Sequence, residues 1–253
     1  MMTEDILGFS IRSAPPEDVL RELCGWLEKD DGPRWFACAN PHSLHVAAGD
    51  PVFTDAIHAA DMVTADGAGI VLASRLLGGS IPHRITGSDV FEGVCHYCNQ
   101  QGGRRFFFLG STPETLADIQ RKMRLRYPNI EVAGVYAPPF KADFDARDNE
   151  QMISRINAAR VDILWVGLTA PKQEKWVFEH AHRLDVRMIG PIGAVFDFFT
   201  GRVKRSPRIF QRLGLEWLPR LLQEPRRLWY RNFVSSPMFL LRVFQQRFGR
   251  DTP

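Results

Sequence analysis

The chain of 253 residues contains no long hydrophobic run. None of its apolar stretches reaches the roughly 18 residues that a membrane-spanning helix requires. It also lacks a basic N-terminal region followed by an apolar one. It opens on MMTEDILGFSIRSAPPED, with acids among the first residues, so no secretory leader and a cytoplasmic protein are expected. Cysteine is scarce. Cys24, Cys38, Cys95 and Cys98 are too few in a chain of this length to form a disulfide framework. Cys95 and Cys98 make a C-x-x-C, but no second ligand pair stands at zinc spacing, and the motif falls inside a helical stretch. Ordinary helix cysteines are expected there. His42 and His45, and His180 and His182, likewise stand without carboxylate or cysteine company at ligand spacing. Neither G-x-G-x-x-G nor G-x-x-x-x-G-K-[ST] occurs, so dinucleotide and Walker-type sites lose their main support.

What is present is a folded composition with an uneven charge. Apolar residues make up 45% and charged residues 24%, enough for one large domain or a domain with an appendage. Between residues 201 and 250, twelve arginines and lysines face only Glu216 and Glu224. That segment carries +10, and because the whole chain is +3, the rest carries −7. A basic tail on an acidic body suits an anionic partner: nucleic acid, phosphate or anionic lipid.

Short apolar runs alternate with helical patterns. Strands are expected at Trp35–Ala39, Met62–Ala65, Arg105–Leu109, Glu131–Tyr136, Ile163–Leu168 and Arg187–Gly190. Helices are expected at Gly67–Leu77, Asp89–Gln101, Pro113–Tyr127, Ala146–Ala159 and Pro171–Leu184. This alternation predicts an α/β fold with a Rossmann-like parallel sheet flanked by helices, over residues 1–200. A basic helical appendage fills 201–253. Ligands of such sheets bind beyond the carboxyl ends of the strands.

Three strand-to-helix junctions carry chemistry. In FFFLGSTPETL, Gly110 ends a strand, Ser111 or Thr112 can cap the next helix, and the helix start can receive phosphate. In VTADGAG, Asp66 falls at a strand end, either as a general base or as a helix N-cap, and Gly67 and Gly69 would let a ligand approach the backbone. In WVGLTAPKQEKW, Lys172, Gln173 and Glu174 cluster at a helix mouth; Lys172 and Gln173 can hold phosphate or sugar hydroxyls, or the cluster simply forms a polar first turn. Asp143-Phe144-Asp145 is a D-x-D, a metal–diphosphate pattern, yet it sits in an acidic loop before a helix and reads as helix-start acids. After Pro237, MFLLRVFQQRFG is basic on one side and aromatic on the other. It reads as an interfacial amphipathic helix, with packing on the body as the other reading.

CANPHSL, ADGAGIV, HRITGSD, FFFLGS, YAPPF, VGLTAPKQEKW, GAVFDFFTGRVKRSPR and GLEWLPRLLQEPRRLWYR follow one another in this order. Together they resemble the WecG/TagA/CpsF family, glycosyltransferase family 26, over roughly residues 5 to 248. The resemblance implies an inverting enzyme that uses a UDP-sugar, builds β-linkages on a polyprenyl-diphosphate-linked sugar, and needs no cofactor or metal. It implies Asp66 as catalytic base, with Asn40, Arg84, Gln173 and Cys38 lining the pocket. It further implies that Arg220, Arg227 and Arg231 of the appendage close over the donor diphosphate, with Gly110, Ser111 and Lys172 beside them. Cys38 stands where the family often has threonine, which removes a pocket hydroxyl. Thr169 replaces a common glycine, and Tyr230 stands where another arginine is expected. The expected partners are donor, lipid-linked acceptor and the anionic inner membrane surface, without nucleic acid; a homo-oligomer is left open. Capsule or exopolysaccharide assembly is the expected setting. The arginine-rich tail is expected to be mobile until it meets membrane or substrate, and removal after about Gly201 to leave a folded body. The rival readings are a lipid- or nucleic-acid-binding protein using the basic tail, and a metal-dependent transferase using Asp143 and Asp145.

Overall fold

The computed structural model describes residues 2–203, 210, 218–219, 221 and 225–249. A short antiparallel hairpin comes first, β1 (Thr3–Ile6) and β2 (Phe9–Arg12). The main sheet is parallel, built from β3 (Arg34–Ala39), β4 (Met62–Ala65), β5 (Arg105–Gly110), β6 (Glu131–Tyr136), β7 (Ile163–Gly167) and β8 (Met188–Pro191). Its strand order is β4-β3-β8-β7-β5-β6. The chain thus runs outward to β4, crosses to β5 and β6, and returns to fill the centre with β7 and β8. All six carboxyl ends face one rim.

Both faces of the sheet are covered, which explains the near-continuous apolar strands. One face packs the side chains of Phe36, Phe106, Phe108 and Trp165 beneath α1 (Pro16–Trp26), α5 (Gly87–Gln101), α6 (Pro113–Arg126) and α9 (Val195–Thr200). The other packs Ala37, Val63, Leu164 and Ile189 beneath α2 (Pro41–Ala47), α3 (Pro51–Ala59), α4 (Ala68–Leu77), α7 (Ala146–Ala158) and α8 (Lys172–His180). The expected α/β architecture is the one observed. The sequence patterns overlook the hairpin and α1, α2 and α3. The stretch expected as one helix up to Leu184 ends at His180 and continues as a 3-10 turn, Ala181–Arg183.

Near the C-terminus, α10 (Pro225–Tyr230) runs into a π-turn at Arg231–Ser235 and then into α11 (Ser236–Phe248). The helix α11 packs against α2 and α4. Phe239 and Val243 on it are fully buried and belong to the core of the body. Gln246 ties the helix to the hairpin: it accepts from the Leu7 N–H at 2.8 Å and donates to the Asp5 carboxylate at 2.7 Å. Its other side leaves Met238, Leu241, Phe244 and Phe248 exposed. The packing of this segment on the body is therefore observed, and the opposite face is left apolar and exposed. Among the described residues no helix is long and apolar enough to cross a membrane.

Candidate active site

At the rim, β3 and β4 end side by side. The Asp66 N–H donates to the Ala39 carbonyl at 2.7 Å, and the Ile85 N–H donates to the Ala65 carbonyl at 2.8 Å. These two bonds bring Asp66, Asn40 and the Arg84–Ile85 strip together. The sequence left Asp66 open between a helix cap and a base. The structure gives the N-cap position of α4 to Gly67, at φ +104°, and sets Asp66 one residue before it. Gly67 is required by its positive φ. Gly69 has a different reason from the one expected. A side chain there would run into the ring of Pro41, so the glycine serves packing of α4 on α2 and not the approach of a ligand.

Asn40 caps α2. Its Oδ1 accepts from the N–H groups of His42 at 3.1 Å and Ser43 at 3.0 Å, and Ser43 returns the bond in a capping box. This fixes the side chain at the end of β3. Thr86 and Asp89 form a second capping box at the start of α5, directly after Arg84. Cys38, partly exposed on β3, accepts from Thr64 Oγ1 at 3.6 Å. Burial, then the carboxylate of Asp66, push its thiol well above the usual range, with lesser contributions from Glu174 and Asp89. Cys38 thus stays protonated, within electrostatic reach of Asp66, Glu174 and Asp89.

Gln173 and Glu174, at the start of α8, are both buried. Gln173 Nε2 donates to Glu174 Oε1 at 2.8 Å, and Gln173 Oε1 and Glu174 Oε2 have no hydrogen-bond partner among the described residues. Burial raises the Glu174 carboxyl to about 7, against the lowering effect of the Gln173 bond and of its own N–H. Sequence reasoning left Glu174 out of the site because a glutamate in a first turn reads as a solvated helix start; only its burial reveals it.

Other expected site residues lie elsewhere. The Lys172 ammonium donates to the Lys141 carbonyl at 2.6 Å and sits 3.3 Å from the centre of the Phe144 ring, so it fastens the loop before α7. Ser111, at φ +57°, spends its N–H on the Gly167 carbonyl at 3.1 Å. Thr112 caps α6, and Glu114 folds back onto the same helix start, held below the usual carboxylate range by the Thr112 hydroxyl and its own N–H. The junction at Gly110 and Ser111 is therefore closed by its own groups. Asp145 of the D-x-D is the N-cap of α7, in a capping box with Asp148, and Lys141 bonds both, the helix-start role expected of it. No group of three or more histidines, cysteines or acids disposed to hold a metal ion exists among the described residues. Cys95 and Cys98 are fully buried helix cysteines.

Of the appendage arginines, Arg220 lies outside the described residues, and for Arg227 only the backbone, in α10, is described. Arg231 opens the π-turn and comes near His42 of α2, whose imidazole is held below its ordinary value by burial, by the Arg231 guanidinium and by His45.

The model of the Glycosyl transferase WecG/TagA/CpsF family matches residues 4–253 of this chain. The chain belongs to the WecG/TagA/CpsF family of glycosyltransferases. A relative from Bacillus spizizenii is 30% identical over 228 residues, covering 90% of this chain and 85% of its own length. One from Staphylococcus aureus is 29% identical over 240 residues, covering 94% and 91%. One from Bacillus subtilis is 30% identical over 217 residues, covering 86% and 81%. Each carries the name N-acetylglucosaminyldiphosphoundecaprenol N-acetyl-beta-D-mannosaminyltransferase.

Proposed function

We propose that this protein is an inverting β-glycosyltransferase that moves a hexose or N-acetylhexosamine-type sugar from a UDP-sugar to a saccharide on a polyprenyl diphosphate, in the assembly of a cell-surface polysaccharide. The observation that carries this reading is Asp66. It is a carboxylate at the shared end of β3 and β4, one residue before the N-cap of α4, beside Asn40 and Arg84. In the reaction the acceptor hydroxyl gives its proton to the Asp66 carboxylate. Its oxygen attacks the anomeric carbon from the face opposite UDP. The anomeric C–O bond breaks, and UDP leaves with the electron pair. One displacement inverts the configuration. General-base help of this kind contributes roughly 10²–10⁴-fold.

The leaving diphosphate needs positive charge. Arginines supply it in this reading, with Arg231 beside His42 and Arg220 and Arg227 in the same segment; no metal or cofactor is invoked. The names of the relatives make UDP-N-acetylmannosamine the first donor to try and a polyprenyl-diphosphate N-acetylglucosamine the first acceptor. The test is UDP release from a panel of UDP-sugars with that acceptor in liposomes, with and without EDTA. Acceptor-dependent release from one donor, unchanged by EDTA, is the expected result. Release abolished by EDTA would restore the metal-dependent reading through Asp143 and Asp145. Absence of release from every donor, with tight vesicle or RNA binding, would replace the enzyme by a binding protein.

A further inference from the structure

The C-terminal segment touches the candidate site at one place. His42, two residues beyond Asn40, shares a hydrogen bond of 2.9 Å between its Nδ1 and the Oγ of Ser235. Ser235 is the last residue of the π-turn and is fully buried. The His42 ring also meets the Tyr230 ring edge-on, with centroids 6.4 Å apart. On the other side, His42 is fixed by its N–H bond to the Asn40 side chain. A rigid connection thus runs from Asn40, in the cleft, through His42 to both ends of the turn that Arg231 opens.

A π-turn places one more residue in a turn than an α-helix does, and such turns concentrate at functional sites. Here the extra residue separates two demands on one helical run. The residues after it must aim Phe239 and Val243 into the core. The residue before it, Arg231, follows Tyr230, whose ring meets His42, and its charge reaches that imidazole. The carbonyls that the irregular turn loosens are recovered locally: Ser236 Oγ donates to the Arg231 carbonyl at 2.9 Å, and Asn232 Nδ2 donates to the Leu228 carbonyl at 3.0 Å. Irregular backbone whose polar groups are met by side chains is a built feature.

We infer that the Arg231–Ser235 turn is a seat for the Arg231 guanidinium at the mouth of the cleft, and that His42 is the positioning residue that holds it there for a nucleoside diphosphate. The inference rests on the glycosyltransferase reading and adds to it a residue that acts through another. His42 touches no substrate. Its ring fixes Ser235 and Tyr230, and through them the first turn after α10.

The test is a double-mutant cycle on the full chain, read as the dissociation constant for UDP. His42→Phe keeps an aromatic ring against Tyr230 and removes the bond to Ser235. It is expected to weaken UDP binding by about tenfold, the size of one lost charge-assisted contact. Arg231→Ala is expected to weaken it at least as much, and His42→Phe made in the Arg231→Ala background is expected to cost less than twofold further. His42→Asn, which retains a hydrogen-bonding group, is expected to restore most of the loss. A merely structural His42 would instead lower the melting temperature in both backgrounds, with full additivity in the UDP constant, and that result overturns the inference. Unchanged UDP binding in His42→Phe overturns it as well, while leaving the transferase reading intact if UDP release persists. A wild-type protein that neither binds UDP nor releases it removes both.

Discussion

Glu174 carries the sharpest consequence at the scale of single residues. Its carboxyl is held at about 7 by burial, against an ordinary value of 4.5. A carboxyl raised on folding binds its proton more tightly in the folded state. Stability from this group is therefore full below the unfolded value and falls as pH rises from about 4.5 to about 7. The loss amounts to about 3 kcal/mol. Glu174→Gln keeps the shape and the acceptor for Gln173 but has no charge to bury. Its melting temperature should match that of wild type near pH 4.5 and exceed it increasingly up to pH 8; a constant difference across that range would mean that Glu174 is ionised in the folded chain. The sequence placed Glu174 beside Gln173 but could not show that both lie inside, because a helix mouth rich in Lys, Gln and Glu usually faces water. Asp66 was legible as a strand-end carboxylate. That Gly67, and not Asp66, takes the cap position was not, since it depends on a φ of +104°.

The secondary-structure elements divide in the same way. The six sheet strands announce themselves because strands buried on both faces read as apolar runs, and the six are found within two residues of their expected bounds. The hairpin hides because TEDI and FSIR are four residues each and half polar. The helix α2 hides because its seven residues begin on Pro41 and hold little apolar pattern, yet it carries Asn40 at its start and His42 within it. The helix α11 was legible as amphipathic, but its face toward the body needed the structure. Phe239 is fully buried against that body, and Phe239→Ala should destabilise the whole protein by roughly 3–5 kcal/mol, measured by urea unfolding. For the same reason, removal of everything after Gly201 should not leave the stable body that the sequence suggested. It would uncover the sites of Phe239 and Val243 and cut the Gln246 bonds to Leu7 and Asp5. A truncate as stable as the full chain would show that α11 docks without contributing to the fold.

At the scale of the whole molecule, an acidic body carries an arginine-rich end whose outer surface is aromatic. Trp229, Phe233, Leu241, Phe244 and Phe248 are exposed along α10, the π-turn and α11 at roughly helical spacing, with Arg242 and Arg247 among them. Aromatic and basic side chains on one outer face suit the interface of an anionic bilayer. Binding to vesicles containing anionic lipid should fall with salt and with Phe244→Ala and Phe248→Ala together, and equal binding to neutral vesicles would contradict that account. This face lies on the same segment as Arg231 and Ser235, so the exposed aromatic surface and the contact with His42 belong to a single helical run. The central claim is that this cleft transfers sugar with Asp66 as its base. It is tested most directly by acceptor-dependent UDP release from liposomes, measured for the full chain and for Asp66→Asn at saturating donor. The account predicts release that requires the lipid-linked acceptor, and a kcat at least about 100-fold lower in Asp66→Asn, with the donor KM and the melting temperature little changed. Near wild-type turnover by Asp66→Asn would contradict it.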